Sequence, residues 1–394
     1  MKKVLEGSKA IAEAVKLCRP QVISAYPITP QTHIVEALSR MVAEGQLKAE
    51  FINVESEFSA ASVILGACAA GSRAYSTTTS QGLLLMVEVL FNLAGMRLPV
   101  VLTCTNRSVS APINIWNDHQ DVMTIRDAGL ILLFAEDNQE AYDLHFVAYK
   151  VGESKEVSLP VVVNMDGFIL THAYEPIEIL TQEQVDEFLP PFQPLKKLDP
   201  ENPATFGMLA DPGWYLETRI SMQKAMENSK SVLKQVIGEF RQKFGRLAGD
   251  LLETYRMEQA KTAFVAMGSM VGTLKDMVDE ERDKGNPVGL VKVRSFRPFP
   301  GEELREVLGS AEKILVLEKA FSLGLGGILY HELRSALYGL PLSPQISGYV
   351  LGLGGRDIPK KSLSKILEDF NKTTPALNFV DAKENILKEH LYVQ

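Results

Sequence analysis

A short proline-rich stretch near the N-terminus holds a hydroxyl group in a stiff turn. In "YPITP" at 26–30, Pro27 and Pro30 flank Thr29. Proline fixes its own φ and pushes the preceding residue towards extended geometry, so we expect neither Tyr26 nor Thr29 to be helical. The stretch follows an apolar run and precedes an amphipathic one, which indicates a strand-to-helix connection. Such a loop serves as a connection alone, or it presents Thr29 to a ligand at the carboxyl end of a strand.

Two acidic residues lie where a second strand meets a helix. In "NVESEFSAAS" at 53–62, Glu55 and Glu57 flank Ser56, which can cap the helix. Carboxylates in a first helical turn complement the helix dipole, so structure alone explains both acids. The following helix, however, is almost wholly small and apolar, so an acid entering it is expected to be partly buried and to need a partner. Both interpretations stay open from the residues alone.

An arginine follows a third strand, in a polar loop. The stretch "TCTNRSVSAPINIWNDHQD" at 103–121 carries Arg107 at the carboxyl end of the strand, among serine, asparagine, aspartate and tryptophan residues. Ligand-binding loops collect on that edge of an open sheet, and the guanidinium fork matches a carboxylate. A solvated surface arginine is the alternative. The polar loop "TTTSQGLL" at 77–84 is compatible with one wall of the same site.

The elements that must position these residues alternate along the chain. Short apolar runs and longer helical patterns predict an α/β domain with a mostly parallel sheet over 1–170. Seven prolines between 171 and 213 predict an irregular arm, which with a long helix fills 171–257. Four further strands with helical segments between them predict a second α/β domain over 258–370, followed by a C-terminal tail at 371–394.

Composition and charge exclude several classes of protein. The 394 residues are 46% hydrophobic and 23% charged, and 49 acidic residues outnumber 41 basic ones, which argues against nucleic-acid binding. The N-terminus lacks the apolar core of a signal peptide, and the most apolar stretch, at 82–96, contains Glu88 and is too short to span a membrane. These features predict a cytoplasmic protein with no membrane contact.

Cysteine and histidine spacing predicts no metal site on this chain. The three cysteines form no CxxC or CxxH pair, and the six histidines are scattered without a zinc-binding pattern. A glycine run, "LGLGG" at 323–327, precedes a helical segment, so its amides could meet an anion. Because that run lacks the dinucleotide fingerprint, a tight strand-to-helix turn is the favoured interpretation.

Taken together, five motifs are similar to those of a known enzyme family. They are "YPITP" at 26–30, "ESEFSAASVILGACAAGSRAYSTTTSQGLLLM" at 55–86, "NRSVSAPINIWNDHQD" at 106–121, "FRPFP" at 296–300 and "LGLGGRD" at 351–357. The chain resembles the α subunits of 2-oxoacid:ferredoxin oxidoreductases, above all the pyruvate-specific kind with separate subunits. The resemblance implies a pyrimidine-type thiamine-diphosphate-binding domain with a parallel sheet, followed by a domain like the C-terminal domain of transketolase.

The resemblance also implies roles for particular residues. Thr29 would hydrogen-bond the substrate, and Tyr26 and Thr29 would lie in the cofactor site. Glu57, rather than Glu55, would meet the aminopyrimidine ring of thiamine diphosphate, where a carboxyl that shares a proton favours the tautomer that deprotonates C2. Arg107 would hold the 2-oxoacid carboxylate through two hydrogen bonds. No metal ligand is implied on this chain.

What the chain lacks implies partner subunits. No GDG sequence followed by asparagine, the family's magnesium–diphosphate signature, occurs here, and there are no cysteine clusters. By resemblance a β subunit would hold the diphosphate, Mg²⁺ and a [4Fe-4S] cluster, and γ and δ subunits would complete the complex. The implied reaction is CoA-dependent oxidative decarboxylation of pyruvate to acetyl-CoA and CO₂, with ferredoxin or flavodoxin as electron acceptor.

Three other functions remain as alternatives. A 2-oxoisovalerate or 2-oxoglutarate enzyme would need the same residues, because pocket shape sets which 2-oxoacid is preferred. A non-catalytic scaffold subunit would need none of Thr29, Glu57 and Arg107. A nucleotide-binding dehydrogenase is disfavoured because no GxGxxG motif follows a strand.

Overall fold

The computed structural model describes residues 1–203, 205–341, 343–370 and 377–390. The chain divides into two compact units. The first comprises Met1–Glu253, Met267–Ser269 and Lys292–Pro300, and the second comprises Thr254–Ala266, Met270–Val291 and Gly301–Gln394. Most of the predicted arm and long helix therefore belong to the first unit.

Strands and helices alternate through both units. The strands are β1 (Lys2–Glu6), β2 (Val22–Ala25), β3 (Glu50–Asn53), β4 (Ala74–Thr78), β5 (Val101–Asn106), β6 (Ile131–Phe134), β7 (Val161–Asp166), β8 (Tyr174–Glu178), β9 (Leu252–Tyr255), β10 (Thr262–Ala266), β11 (Val288–Val293), β12 (Ser295–Arg297), β13 (Lys313–Glu318), β14 (Phe321–Ser322), β15 (Gly326–Gly327), β16 (Gln345–Val350) and β17 (Leu377–Phe379). The helices are α1 (Gly7–Cys18), α2 (Thr32–Ala43), α3 (Glu57–Ala69), α4 (Ser80–Leu85), α5 (Val87–Gly95), α6 (Gln120–Thr124), α7 (Asn138–Gly152), α8 (Gln182–Phe188), α9 (Tyr215–Phe244), α10 (Met270–Asp283), α11 (Gly301–Leu308), α12 (Ile328–Leu337), α13 (Lys360–Phe370) and α14 (Glu384–His390).

The first unit is built on a seven-stranded sheet in the order β12-β6-β7-β5-β4-β2-β3. All neighbours run parallel except β12, which pairs antiparallel with β6. This confirms the predicted mostly parallel sheet. Because β3 and β4 flank β2 on opposite sides, the connections after β2 and β4 diverge and leave a crevice at the carboxyl edge, where open α/β sheets bind ligands.

Helix α2 covers the predicted amphipathic segment from Thr32 to Ala43. It buries Ile34, Val35 and Leu38, so the loop before it is anchored by a packed helix. The apolar stretch at 82–96 lies in two helices, α4 and α5, on either side of Met86. Helix α4 begins two residues after the end of β4, so its first turn lies at the edge of the sheet.

The proline-rich segment contains more regular structure than the sequence predicted. Strand β8 pairs antiparallel with β1, and α8 begins with a capping box between Thr181 and Gln184. Phe188 on α8 packs edge-on against Phe240 of α9, with ring centroids 5.3 Å apart. The prediction of an irregular arm over 171–213 was therefore wrong for β8 and α8, because a strand partner at the N-terminus cannot be seen in local composition.

The second unit carries most of a six-stranded sheet in the order β17-β16-β13-β10-β11-β9. The pairs β10–β13, β13–β16 and β16–β17 are parallel. The four predicted strands correspond to β10, β11, β13 and β16. Within the predicted tail, 371–376 and 391–394 lie outside the described residues, whereas β17 and α14 are regular.

The glycine run forms a tight connection into α12, whose first turn already donates backbone N–H groups to a carboxylate. Strands β14 and β15 make a short antiparallel hairpin that leads into α12. The buried carboxylate of Glu318 accepts hydrogen bonds from the backbone N–H groups of Leu329 (2.8 Å) and Tyr330 (3.1 Å). The favoured interpretation of a strand-to-helix turn is therefore confirmed. No helix in the described ranges is both long and apolar enough to cross a membrane.

Candidate active site at the carboxyl edge of the first sheet

The loop after β2 is fixed by a buried glutamine. Gln31 is fully buried, and its Nε2 donates to the backbone oxygens of Tyr26 (2.9 Å) and Thr77 (3.1 Å). The loop is thereby tied to the neighbouring strand β4. Pro30 is buried, whereas Thr29 and Tyr26 are exposed at the edge of the sheet. The backbone of the loop is thus held in place while Thr29 stays accessible to a ligand.

Arg107 lies in the loop after β5 and contacts the loop after β2. Its Nη1 donates to the backbone oxygen of Thr29 (2.8 Å), and its Nε donates to that of Asn114 (3.1 Å). Burial lowers the pKa of the Arg107 guanidinium, and the charge of Asp121 opposes that shift. Among the described residues, none accepts a hydrogen bond from Nη2. The structure thus joins two residues that the sequence had proposed separately.

A buried aspartate organises the backbone around this arginine. Asp121 Oδ2 accepts hydrogen bonds from the backbone N–H groups of Ser80 and Arg107, both at 3.0 Å. Asp121 Oδ1 accepts from Asn106 Nδ2 (3.1 Å) and from the N–H of Val122 (2.7 Å). Burial raises the pKa of Asp121, and these four hydrogen bonds act against that rise. One carboxylate therefore ties the start of α4 to the loop that carries Arg107.

The two acids of the "ESE" stretch lie in different environments. Glu55 is exposed and accepts a hydrogen bond from the Ser59 hydroxyl (2.6 Å), which lowers its pKa. Glu57 is the first residue of α3, behind the Ser56 cap, and only 7% exposed. In the described part of the chain no residue donates a hydrogen bond to the Glu57 carboxyl. The Glu57 carboxyl is therefore available to accept or share a hydrogen bond with a ligand from outside the chain.

Gly82 provides the space next to Glu57. A Cβ atom at Gly82 would lie 2.6 Å from both Glu57 Oε1 and Thr78 Oγ1, closer than real Cβ atoms come. Thr78 Oγ1 is itself buried with no hydrogen-bond partner in the described structure. A carboxyl, an unpaired hydroxyl and a glycine surface therefore meet where α3, β4 and α4 converge. A ring nitrogen of a ligand that reached the Glu57 carboxyl could share a proton with it.

The structure places the four predicted site residues at one sheet edge, Tyr26, Thr29 and Arg107 on loops and Glu57 at the start of α3. It links Thr29 directly to Arg107, whereas no hydrogen bond between described residues links Glu57 to either. Sequence reasoning missed Gln31, Gly82 and Asp121 as supporting residues. Gln31 and Asp121 both lie in or next to the motifs that were singled out, and their burial was the information that the sequence lacked.

Comparisons with known proteins agree with this architecture. The family model described as "Pyruvate flavodoxin/ferredoxin oxidoreductase, thiamine diP-bdg" matches residues 13–237, and "Pyruvate:ferredoxin oxidoreductase core domain II" matches residues 260–363. The pyruvate synthase subunit PorA of Methanosarcina barkeri is 50% identical over 98% of this chain and 97% of its own length. The ketoisovalerate oxidoreductase subunit VorA of Pyrococcus horikoshii is 45% identical over 94% of both chains.

A solved structure shares the fold at low sequence identity. It is a 2-oxoglutarate:ferredoxin oxidoreductase from Magnetococcus marinus with 2-oxoglutarate, coenzyme A and succinyl-CoA bound. It superposes with a TM-score of 0.72 at 17% identity, over 93% of this chain and 65% of the solved one.

Proposed function

Because this chain belongs to the pyruvate flavodoxin/ferredoxin oxidoreductase family, with its thiamine-diphosphate-binding domain, we propose that it is the α subunit of a CoA-dependent pyruvate:ferredoxin oxidoreductase. The complex converts pyruvate and CoA to acetyl-CoA and CO₂ and reduces ferredoxin or flavodoxin. The observation that carries this proposal is the gathering of Thr29, Glu57 and Arg107 at one edge of the sheet, in a chain matched over nearly its full length by a pyruvate synthase subunit.

Glu57 fits the pyrimidine side of thiamine diphosphate. Its carboxyl is buried, has no hydrogen-bond donor among the described residues, and lies against Gly82 and the unpaired hydroxyl of Thr78. The cofactor supplies the nucleophilic carbon that attacks the keto group of a 2-oxoacid. Glu57 would hold a proton at a ring nitrogen of the pyrimidine, at the positive end of the α3 dipole. Tyr26 would form part of the same binding surface.

Arg107 and Thr29 fit the substrate. Arg107 Nη1 is held by the Thr29 carbonyl, which orients the guanidinium and leaves Nη2 for a ligand carboxylate. Thr29 carries an exposed hydroxyl on a loop whose backbone is fixed by Gln31. These two groups would orient a 2-oxoacid so that its keto carbon faces the cofactor, and the Thr29 hydroxyl would donate to the oxygen on which charge develops.

The remaining parts of the reaction are assigned to other subunits. The sequence has no GDG motif for a magnesium–diphosphate site and no cysteine cluster for electron transfer. We assign Mg²⁺ and the [4Fe-4S] clusters to β, γ and δ subunits, with the thiamine diphosphate shared between this chain and β. The chain is then active only in the complex.

A branched substrate is the second candidate. The VorA relative is 45% identical, only slightly less than the PorA relative at 50%. Pockets discriminate one methylene group by only about 1–3 kcal/mol, so the same catalytic residues serve either acid.

Turnover assays on the assembled complex test the proposal. Pyruvate, 2-oxoisovalerate and 2-oxoglutarate are compared with CoA and a low-potential electron acceptor, and pyruvate is expected to give the highest kcat/KM. The chain purified without partners is expected to reduce no acceptor. Activity of the partner-free chain would refute the division of the site between subunits, and a preference for 2-oxoisovalerate would select the second candidate.

A further inference from the structure

Three side chains of types that can bind metals, and that the candidate active site does not use, come together in the first unit. Glu6 lies at the end of β1, His33 in the first turn of α2 and His172 just before β8. One ligand atom from each residue lies within 4.8 Å of the others. We propose that Glu6, His33 and His172 form a binding site for a divalent transition metal, with Zn²⁺ as the type ion.

The donor set decides the class of metal. Two imidazoles and one carboxylate favour Zn²⁺ and its neighbours over Mg²⁺ and Ca²⁺, which prefer oxygen ligands. A His₂Glu set leaves the fourth tetrahedral position of Zn²⁺ open to water. The side chain of His33 is 46% exposed, so water and metal can reach the cluster, whereas that of Glu6 is only 7% exposed. Glu6 is therefore fixed by its buried surroundings, and His33 leaves the cluster accessible to solvent.

The geometry requires only side-chain adjustment. His33 Nδ1 lies 2.5 Å from Glu6 Oε1, so the two share a proton that a metal ion would replace. Ligand atoms about 2.1 Å from Zn²⁺ lie about 3.4 Å apart in a tetrahedron. The Glu6–His33 pair must therefore move apart by about 0.9 Å, and atoms separated by up to 4.8 Å must approach by at most about 1.4 Å. Lys9 Nζ is 3.9 Å from Glu6 Oε2 and is 55% exposed, so it can move towards solvent.

His172 has a hydrogen-bond partner and a ring contact that restrain its side chain. Its Nδ1 lies 2.7 Å from Thr171 Oγ1, and Phe168 packs on its ring at a centroid distance of 4.8 Å. The tautomer that donates Nδ1–H to Thr171 leaves the lone pair of Nε2 for a metal, which is the usual arrangement of ligating histidines. Burial and the nearby His33 lower the pKa of His172, and the charge of Glu6 opposes that shift.

A metal ion here would cross-link three distant segments. The ion would hold the start of α2 against the start of α1 and the turn after β7. Because His33 follows Thr29 by four residues, it would also restrain the end of the loop that carries Thr29. The sequence predicted no metal site because its spacing rules search along the chain. These ligands come from positions 6, 33 and 172 and are adjacent only in the fold.

Zn²⁺ binding to the full-length chain tests the proposal. After treatment with a chelator and its removal, we expect the wild-type chain to bind one Zn²⁺ that raises its Tm, and to give the intense visible bands of tetrahedral Co²⁺ when cobalt is added. His33→Ala and His172→Ala should abolish both signals. Thr171→Val should weaken Zn²⁺ binding by about 10- to 100-fold, the usual loss when a ligand's hydrogen-bond partner is removed.

His331→Ala is the matched control, because it removes a histidine from α12 in the second unit. It should bind Zn²⁺ like the wild type. Circular dichroism of each variant checks that the fold is retained, and Glu6→Gln provides a third ligand variant of nearly equal size. The absence of stoichiometric Zn²⁺ binding by the wild type, or binding that survives in both His33→Ala and His172→Ala, would overturn the proposal.

Discussion

Arg107 donates a hydrogen bond from Nη1 to the backbone oxygen of Thr29, 2.8 Å away and 78 residues earlier in the chain. The contact joins the loops after β5 and β2, which are separated in the sheet by β4. The guanidinium holds the loop after β2 with one nitrogen, which leaves another nitrogen for the ligand carboxylate that we propose it binds. Because Arg107 would use two nitrogens of its guanidinium at once, even a substitution that keeps the positive charge should impair it.

We predict that Arg107→Lys lowers kcat/KM for pyruvate by about 10- to 150-fold. A lysine ammonium can reach the Thr29 carbonyl or the substrate but cannot reproduce the planar fork. Losing one charge-assisted hydrogen bond costs about 1.5–3 kcal/mol, which corresponds to that range. Steady-state kinetics on the reconstituted complex measure the effect. Arg40→Lys, at an exposed position on α2, is the control and should be neutral. Wild-type kcat/KM in Arg107→Lys, or a defect confined to cofactor affinity, would remove Arg107 from substrate binding.

The second prediction distinguishes the two acids of the "ESE" stretch. Glu57→Gln should keep the fold but stop hydrogen–deuterium exchange at C2 of thiamine diphosphate in the complex, because an amide cannot carry the shared proton. Glu55→Gln is the matched control, since Glu55 is exposed and bonded to Ser59. Exchange is followed by NMR after acid quench. A loss in Glu55→Gln together with normal exchange in Glu57→Gln would reverse the assignment.

The third prediction uses the close approach of Gly82 to Glu57. Gly82→Ala would place a Cβ atom 2.6 Å from Glu57 Oε1, so the carboxyl must move away from the pocket. We expect C2 exchange to fall as in Glu57→Gln, and the free energy of unfolding to fall by about 1–3 kcal/mol through overpacking. The same exchange assay and urea unfolding measure both effects.

Gly66→Ala provides the control for this substitution. Gly66 lies in α3, the helix that Glu57 begins, and nothing lies within 4 Å of a Cβ built there. Removing a helical glycine should stabilise the fold by up to about 1 kcal/mol and leave exchange unchanged. Normal exchange in Gly82→Ala would show that the position of Glu57 is not set by this contact.

The sequence predicted the elements that local patterns specify. Helix α2 has the predicted bounds because Ile34, Val35 and Leu38 repeat at helical spacing and are buried. Strand β2 could be located because an apolar run ended at Pro27. What could not be predicted depends on residues far apart in the chain. The pairing of β1 with β8 joins Lys2 to Glu178, and no local pattern in either segment signals the other.

The candidate site shows the same division. Thr29, Glu57 and Arg107 could be proposed as site residues because their motifs are local and resemble those of a family. The support around them was not found, because Asp121 acts through backbone N–H groups at Ser80 and Arg107, which any sequence supplies. Because every residue except proline has a backbone N–H group, residue types do not indicate which of these groups donates to a given carboxylate. The folded structure is needed to identify them.

The fourth prediction tests that support. Asp121→Asn turns one carboxylate oxygen into an NH₂ group facing backbone donors, so at least one N–H is left buried without an acceptor. We expect the free energy of unfolding to fall by about 1–3 kcal/mol and KM for pyruvate to rise more than kcat falls, because the backbone of Arg107 loses its anchor. Asp127→Asn, on a side chain that is 75% exposed, is the control. Unchanged stability and KM in Asp121→Asn would contradict this anchoring role.

The last prediction concerns a buried histidine in α7. His145 Nδ1 donates to the Ala141 carbonyl (2.7 Å), and Nε2 lies 2.6 Å from Thr103 Oγ1 of β5. Burial lowers the pKa of His145 from its ordinary 6.5 to about 4. Between pH 4 and pH 6.5, His145 is therefore mostly neutral in the folded chain and mostly protonated in the unfolded chain. The resulting stability is present above pH 6.5 and is lost as pH falls to about 4.

This loss should reach about 3 kcal/mol, since each unit of pKa difference corresponds to about 1.4 kcal/mol. Urea unfolding at pH 7 and pH 4.5 measures it in the wild type and in His145→Gln, which cannot titrate. We expect His145→Gln to be less stable at pH 7, because glutamine fills the site poorly, but to lose less stability on acidification. His331→Gln, in the second unit, should keep the wild-type pH dependence. Because the wild type and His145→Gln share every other titrating group, an equal loss in the two would mean that His145 does not cause the acid sensitivity.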